Sequence, residues 1–181
     1  MSSKSMWNET IITPKLKLLS LTPGQLAMYL DREHDFNSQV GPTSRVILTG
    51  DLRRAISMKL ERMAANPAED LLWITYWLIL VPPDDFGAGL IGFKGAPDKN
   101  GQVEIGFGID RDFQKRGYMT EAVKGMIHWA FSDSRCNRIV APDTLRSNIG
   151  SNRVLQKVGM VVYESKPDAL SWCLDRDRGT I

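Results

Sequence analysis

Apolar residues along this chain follow two periods, and the switches between them mark out its elements. Between Asp51 and about Asn66-Pro67, Leu52, Ala55, Ile56, Leu60, Met63 and Ala64 recur at helical spacing, while Arg53, Arg54, Lys59 and Arg62 lie off that stripe. A helix capped by Asp51 is expected there. From Gln102 to Ile109 the period is two: Val103, Ile105, Phe107 and Ile109 share one face, and Gln102, Glu104, Gly106 and Gly108 the other. Upstream, a short strand at Lys15 to Leu19 leads into Thr22-Pro23-Gly24-Gln25, a capping box with proline at the first helical position, which predicts a helix from Pro23 to about Asp31. The stretch Asp35 to Gly50, rich in Asn, Ser, Gly, Thr and Pro, reads as a loop.

The most apolar run, Leu71 to Pro83, is shorter than the roughly 20 residues a membrane-spanning helix needs. Its aromatic and β-branched residues and the Pro-Pro stop predict a long buried strand over 72–81, with Trp73 and Trp77 on one face and Tyr76 on the other. A second strand at about Gly89 to Lys94, a turn at Ala96 to Gly101 and the 102–109 strand extend this into an antiparallel meander. Then come a helix over 118–131, with Ala122, Val123, Met126, Ile127, Ala130 and Phe131 inward, a strand near 138–141, and a helix from Asn148 to Val158 stopped by Gly159. Strands near 161–163 and 169–174 close the pattern. The order is that of an α+β protein.

Composition narrows the function. With 181 residues, 43% of them hydrophobic and 24% charged, the chain has the make-up of a globular domain. No repeat or linker divides it, so one domain over 1–181 is expected. Lys and Arg number 23 against 21 Asp and Glu, a net charge of +2 that does not mark out nucleic acid as a partner. Cys136 and Cys173 form no CxxC pair and have no histidine cluster beside them, so no metal site is expected. The N-terminus carries no apolar stretch of secretory type, and a cytoplasmic location without membrane contact is the expectation.

Two segments carry candidate chemistry. In Ile109 to Ala122 a strand ends, a basic turn with Lys115 and Arg116 follows, and a helix begins at Gly117. Free N–H groups and the positive dipole end at a helix start suit a phosphate or pyrophosphate, although a solvated loop has the same composition. This turn is neither a GxxxxGK[ST] loop nor a GxGxxG fingerprint, which argues against ATP and NAD. In the second segment, Asn148 to Met160, Asn148 and Ser151 stand in the first turn of a helix; capping is the ordinary duty of such an asparagine.

Taken together and in this order, the two segments resemble the acetyl-CoA-binding core of the GNAT N-acetyltransferase superfamily, and within it the ribosomal-protein N-terminal acetyltransferases. Gln114-Lys115-Arg116-Gly117-Tyr118-Met119 is similar to the family's pyrophosphate loop, followed by its Thr-Glu-Ala helix start at Thr120. Asn148 to Gly159 is similar to its N-x-x-S-x-x-V-L-x-K-x-G helix. Leu90-Ile91-Gly92-Phe93 and Val103-Glu104-Ile105-Gly106-Phe107 resemble the two preceding core strands. The likeness covers roughly residues 72–165.

The resemblance implies a mixed, mostly antiparallel sheet flanked by helices, with a V-shaped split between the 102–109 strand and the strand near 138–141. Acetyl-CoA would lie in the split, its pantetheine paired with backbone around Phe107, Gly108 and Ile109. Its pyrophosphate would sit on N–H groups from Gln114 through Lys115, Arg116, Gly117, Tyr118 and Met119 to Thr120. Gly106 and Gly108 independently leave one strand face bare for close approach. Three positions depart from the family pattern: Met119 in place of a small residue, Leu155 where many relatives carry a thiolate-protonating tyrosine, and Met160 in place of phenylalanine.

The implied chemistry is direct attack of a substrate amine on the thioester. Glu104 is the candidate base, acting through water, although a strand glutamate is also at home in solvent or an ion pair. Ser151 is the candidate donor to the leaving sulfur, and Asn148 would hold pantetheine or a water. Trp73, Tyr76 and Trp77 read first as core, with one of them lining the acceptor pocket as the alternative. His34 reads as incidental, with a substrate role as the alternative, and His128 as a surface or edge residue of its helix. The expected acceptor is a protein or peptide α-amino group, with a small amine (polyamine, amino acid or aminoglycoside) as the second choice. A non-catalytic acyl-CoA-binding module is the rival from another class. A monomer or homodimer fits either.

Overall fold

A computed structural model describes residues 8–65 and 70–178. Eight strands, β1 (Thr10–Ile12), β2 (Lys17–Ser20), β3 (Tyr76–Val81), β4 (Phe86–Phe93), β5 (Gln102–Ile109), β6 (Arg138–Leu145), β7 (Val161–Ser165) and β8 (Ala169–Asp175), form one sheet. Its order is β1-β2-β3-β4-β5-β6-β8-β7. Every neighbouring pair is antiparallel except β5 and β6, which run parallel. The helices are α1 (Pro23–Asp31), α2 (Glu33–Val40), α3 (Gly50–Ala65), α4 (Leu71–Ile74), α5 (Tyr118–Ser132) and α6 (Ile149–Lys157). This is the expected α+β sheet flanked by helices.

The two faces of the sheet bury two separate cores. On one face Trp77, Ile79, Ile91, Phe93, Val103, Ile105 and Ile139 pack against Met119, Ala122, Val123, Met126 and Ala130 of α5 and Leu155 of α6. On the other, Leu78, Leu80 and Leu90 pack against Leu26 and Tyr29 of α1, Phe36 of α2, and Ile56 and Met63 of α3. The unbroken apolar run of β3 has this cause: its odd and even side chains feed different cores, so neither face has room for polar residues.

Three expectations for the first half need correction. The run from Leu71 is not strand throughout: Leu71–Ile74 makes one helical turn, closed by Thr75 N–H to Leu71 C=O at 2.9 Å, before β3 begins at Tyr76. An apolar run carries no period by which helix and strand could be told apart. The turn leaves Trp73 over the end of the sheet, 4.6 Å from the Trp129 ring and 5.0 Å from that of Phe93, so Trp73 and Trp77 still meet the same core. The expected loop at 35–50 contains α2, eight residues whose one buried side chain, Phe36, meets the Tyr29 ring edge-on at 5.2 Å. One anchor in a polar segment leaves no periodic signal, yet burying a phenylalanine contributes about 2 kcal/mol.

In α3, the Thr49 hydroxyl, rather than Asp51, accepts the first-turn N–H of Leu52 at 3.3 Å. The stripe is buried at Ile56 and Met63, but Ala64 is exposed and Lys59, read as off the stripe, is 6% exposed. The Lys59 ammonium donates to the carbonyls of Ile74 and Phe93 and lies 4.5 Å from the Tyr76 ring centre. It thereby ties α3 to the ends of α4 and β4. Burial, reinforced by Arg62 and Lys94 nearby, brings its pKa down to about 7. Among the described residues no helix is long and apolar enough to cross a membrane.

Candidate active site

The site begins where two parallel strands part. β5 and β6 pair only from Gln102 to Glu104 against Arg138 to Val140, and beyond that β6 keeps to β8. Pro142 has no N–H for a ladder, and Asp143 turns to φ +49° in a bulge between Ala141 and Thr144, held by its own N–H on the Ser171 hydroxyl at 3.1 Å. The edge of β5 from Ile105 to Ile109 is left without a partner strand on that side.

A cleft of about 280 Å³ fills the split, lined among others by Gly106, Phe107, Leu145, Asn148, Ser151 and Leu155. It brings together three residues expected to act together, Phe107, Asn148 and Ser151. The Asn148 side chain caps α6, its Oδ1 accepting Ser151 N–H at 3.1 Å, while the Ser151 hydroxyl has no protein partner among the described residues. Leu155 is fully buried beneath the cleft as part of the core, so the residue standing in place of the family tyrosine offers no proton.

Glu104 stands at the vertex, where the paired part of β5 and β6 ends. It points to the face opposite Val103 and Ile105, the face it shares with Gly106 and Gly108. A Cβ added at either glycine would meet nothing within 4 Å. The bare strip above β5 is therefore open space and not a packing requirement. The Glu104 carboxylate pairs with the ammonium of Lys94, which lies directly across the β4–β5 ladder. Lys94 was not a sequence candidate; its signal is the register that sets Gly92 opposite Gly106 and hence residue 94 opposite 104.

At the far end of β5 the chain makes a 3-10 turn, Arg111–Phe113, and reaches α5 through Gln114 to Gly117. Asp110 caps that turn by accepting Asp112 N–H at 3.1 Å, and it also accepts the Ser44 hydroxyl. Those bonds, the Ser44 one above all, hold its carboxyl below the usual range. Ser44 thus fastens the α2–α3 loop to the start of the basic turn. Lys115 and Gly117 take left-handed φ values of +62° and +82°, which turns successive N–H groups toward one side.

Between Gln114 N–H, which bonds Arg111 C=O, and Glu121 N–H, which bonds Gly117 C=O, the six N–H groups of residues 115–120 have no protein acceptor among the described residues. Arg116 lies over the Phe113 ring, which stacks on Phe86 at 5.4 Å. Met119 turns its side chain into the core and leaves only its backbone to the loop, so the larger residue at 119 does not obstruct it, while Tyr118, half-buried, packs against the same core. A groove of about 760 Å³ runs from Gly117 along α5, bordered by Lys124 and Lys157.

A family model for an acetyltransferase (GNAT) domain matches residues 28–161, which takes in the split, the turn and α6. The chain belongs to the GNAT acetyltransferase family. Among relatives of this GNAT chain, the uncharacterized N-acetyltransferase YjdG of Bacillus subtilis (strain 168) is 33% identical over 96 residues, 53% of this chain and 56% of YjdG. The uncharacterized N-acetyltransferase p20 of Bacillus licheniformis is 35% identical over 63 residues, 35% of each chain. The chain thus spans about half the length of YjdG and a third of p20.

Solved structures share the fold over nearly the whole length. A ribosomal L7/L12 alpha-N-protein acetyltransferase, RimL, superposes with a TM-score of 0.63 at 16% identity, covering 97% of this chain and 98% of that one. The ribosomal-protein-S5-alanine acetyltransferase from Vibrio fischeri superposes at 0.61 with 17% identity, covering 96% and 100%. The GNAT resemblance read from the motifs is therefore correct.

A second residue escaped the sequence reading. Asn152 donates to the carbonyls of Leu145 and Asn148 at 2.8 and 2.9 Å and accepts the Trp172 indole N–H at 2.9 Å. It pins the start of α6 to β6 and β8, and so sets the wall of the GNAT cleft that carries Ser151. A polar residue on an exposed helix face gives no sequence signal for such a role. Of the residues read as incidental, His34 and His128 are exposed.

Proposed function

We propose that this protein transfers the acetyl group of acetyl-CoA to the α-amino group of a peptide or protein. The observation that carries the reading is the parting of β5 from β6, which sets an unpaired strand edge, an open glycine strip and Glu104 beside one another, with free N–H groups at the end of the same strand. That arrangement fits acetyl-CoA: its pyrophosphate suits the N–H groups of residues 115–120 beside Lys115 and Arg116, its pantetheine the edge at Phe107, Gly108 and Ile109, and its nucleotide end the groove bordered by Lys124 and Lys157. Bound there, acetyl-CoA supplies an activated acyl carbon. The two ribosomal-protein acetyltransferases that share the fold support a peptide α-amine as acceptor.

The roles of the chain's own residues follow. Glu104, on the open face, takes a proton from the acceptor ammonium through a water and passes it to solvent. The neutral nitrogen forms the new N–C bond as the C–S bond breaks, and the second proton it sheds ends, by way of water, on the departing sulfur. The Ser151 hydroxyl donates a hydrogen bond to the departing sulfur, whose thiol has an ordinary pKa of about 8.5 and so needs little assistance. The products are an amide, CoA and one released proton.

Calorimetric titration with acetyl-CoA, CoA and ATP, followed in the same sample by thiol release on adding peptides, tests this. Acetyl-CoA binding with thiol release driven by free N-terminal peptides is expected. Release driven only by polyamines, amino acids or aminoglycosides would move the acceptor to small amines, and binding without release from any amine would make the chain a binding module.

A further inference from the structure

The register of the sheet sets one cation, Lys94, against Glu104. Lys94 and Glu104 face each other across the β4–β5 ladder, Lys94 N–H donates to Glu104 C=O at 2.9 Å, and their side chains form an ion pair. From α3, Lys59 and Arg62 approach the same corner: Arg62 donates to the Lys94 carbonyl, and Lys59 is close enough to both for their charges to act on it. Tyr76 of β3 lies beneath Lys59. Arg138 of β6, the next strand, is turned to Asp175 at 3.4 Å and Cys173 on β8. Among the described residues the cation that pairs with the Glu104 carboxylate is Lys94. At 65% and 30% side-chain exposure the Lys94–Glu104 pair is too solvated to contribute much stability, which leaves its placement at the vertex unexplained by folding.

We propose that Lys94 is a positioning residue that prevents Glu104 from trapping the acceptor amine as a bound ammonium. This rests on the acetyl-transfer reading above. An unpaired carboxylate beside an ammonium favours the charged form, so a lone Glu104 would bind the acceptor well in its unreactive state. With Lys94 already neutralising Glu104, the arriving ammonium gains little from keeping its charge and gives up its proton more readily. The proton leaves through water to Glu104 and solvent, and the nitrogen keeps the pair that forms the amide. Lys94 weakens acceptor binding and speeds the step that follows.

The test compares wild type, Lys94→Met and Lys94→Arg, with acetyl-CoA and a serine-initiated hexapeptide amide as substrates, over a pH range from about 6 to 9.5. Lys94→Met is expected to lower KM for the peptide several-fold and kcat at pH 7 about tenfold. The rising limb of its kcat profile moves up by about one pH unit, so kcat returns to the wild-type value at the alkaline end. Lys94→Arg stays within about twofold throughout. A kcat depressed equally at every pH, a KM that rises, or no change in either would overturn the role. Calorimetry with acetyl-CoA separates the failures. Wild type that binds acetyl-CoA and acetylates the peptide while Lys94→Met behaves like it overturns this role alone; wild type that does neither overturns the acetyl-transfer reading and this role with it.

Discussion

Asn148 Oδ1 accepts the Ser151 backbone N–H at 3.1 Å, so the two polar residues that open α6 have separate duties. Asn148 holds the helix start, and the Ser151 hydroxyl remains available to the cleft. Asn148→Ala should therefore cost about 1 kcal/mol of stability through loss of the cap, with Asn148→Asp retaining most of it. Ser151→Ala should leave stability within about 0.5 kcal/mol and lower kcat by less than about tenfold. Urea denaturation beside steady-state kinetics checks both; a destabilised Ser151→Ala with normal turnover would reverse the assignment.

Glu104→Gln keeps the size of the side chain and removes the carboxylate proposed as the base. Turnover should fall by about 100-fold while acetyl-CoA affinity by calorimetry stays within about twofold, since Glu104 precedes the residues that line the cleft. Unchanged turnover would discard Glu104 as the base.

At Gly117, φ is +82° and an added Cβ would meet nothing within 4 Å, so the cost of a side chain there is conformational and not steric. Gly117→Ala should lower stability by about 1 kcal/mol and weaken acetyl-CoA only modestly. Gly117→Glu should abolish measurable acetyl-CoA binding by setting negative charge among the N–H groups of residues 115–120. A normal dissociation constant for Gly117→Glu would place the phosphates elsewhere.

Lys59 predicts a pH dependence of stability with a definite sign. Its pKa is lowered from 10.5 to about 7 in the folded chain, so between those values the unfolded chain holds a proton that the folded one lacks. Stability contributed through Lys59 therefore rises with pH from about 7 upward and is flat below it. Between pH 6.5 and 9, wild type should gain on the order of 2 kcal/mol relative to Lys59→Met, measured by urea denaturation. Parallel stability curves for the two would mean that Lys59 stays charged throughout.

The legible parts of this protein were those whose cause is local. The capping box at Thr22 and Gln25, the alternation in β5 and the glycine opening α5 each depend on neighbours a few residues away, and each element appears where its pattern lies. Leu71–Ile74 and α2 were misread because their conformation follows from distant partners: Trp73 turns to meet Phe93 and Trp129, and Phe36 is held by Tyr29.

At the site, the spacing of Gln114 to Thr120 and of Asn148 to Gly159 carried the family by itself, because a turn that opens a helix and a capped helix start are each written in consecutive residues. The partners of the chemistry were decided by the tertiary structure alone. Lys94 reaches Glu104 only through the β4–β5 register, Lys59 is buried only because α3 lies over the ends of α4 and β4, and Met119 leaves the loop free only because α5 packs that side chain inward. Charge pairing and burial depend on distances between segments far apart in the chain, and one-dimensional order does not encode those distances until the sheet sets them.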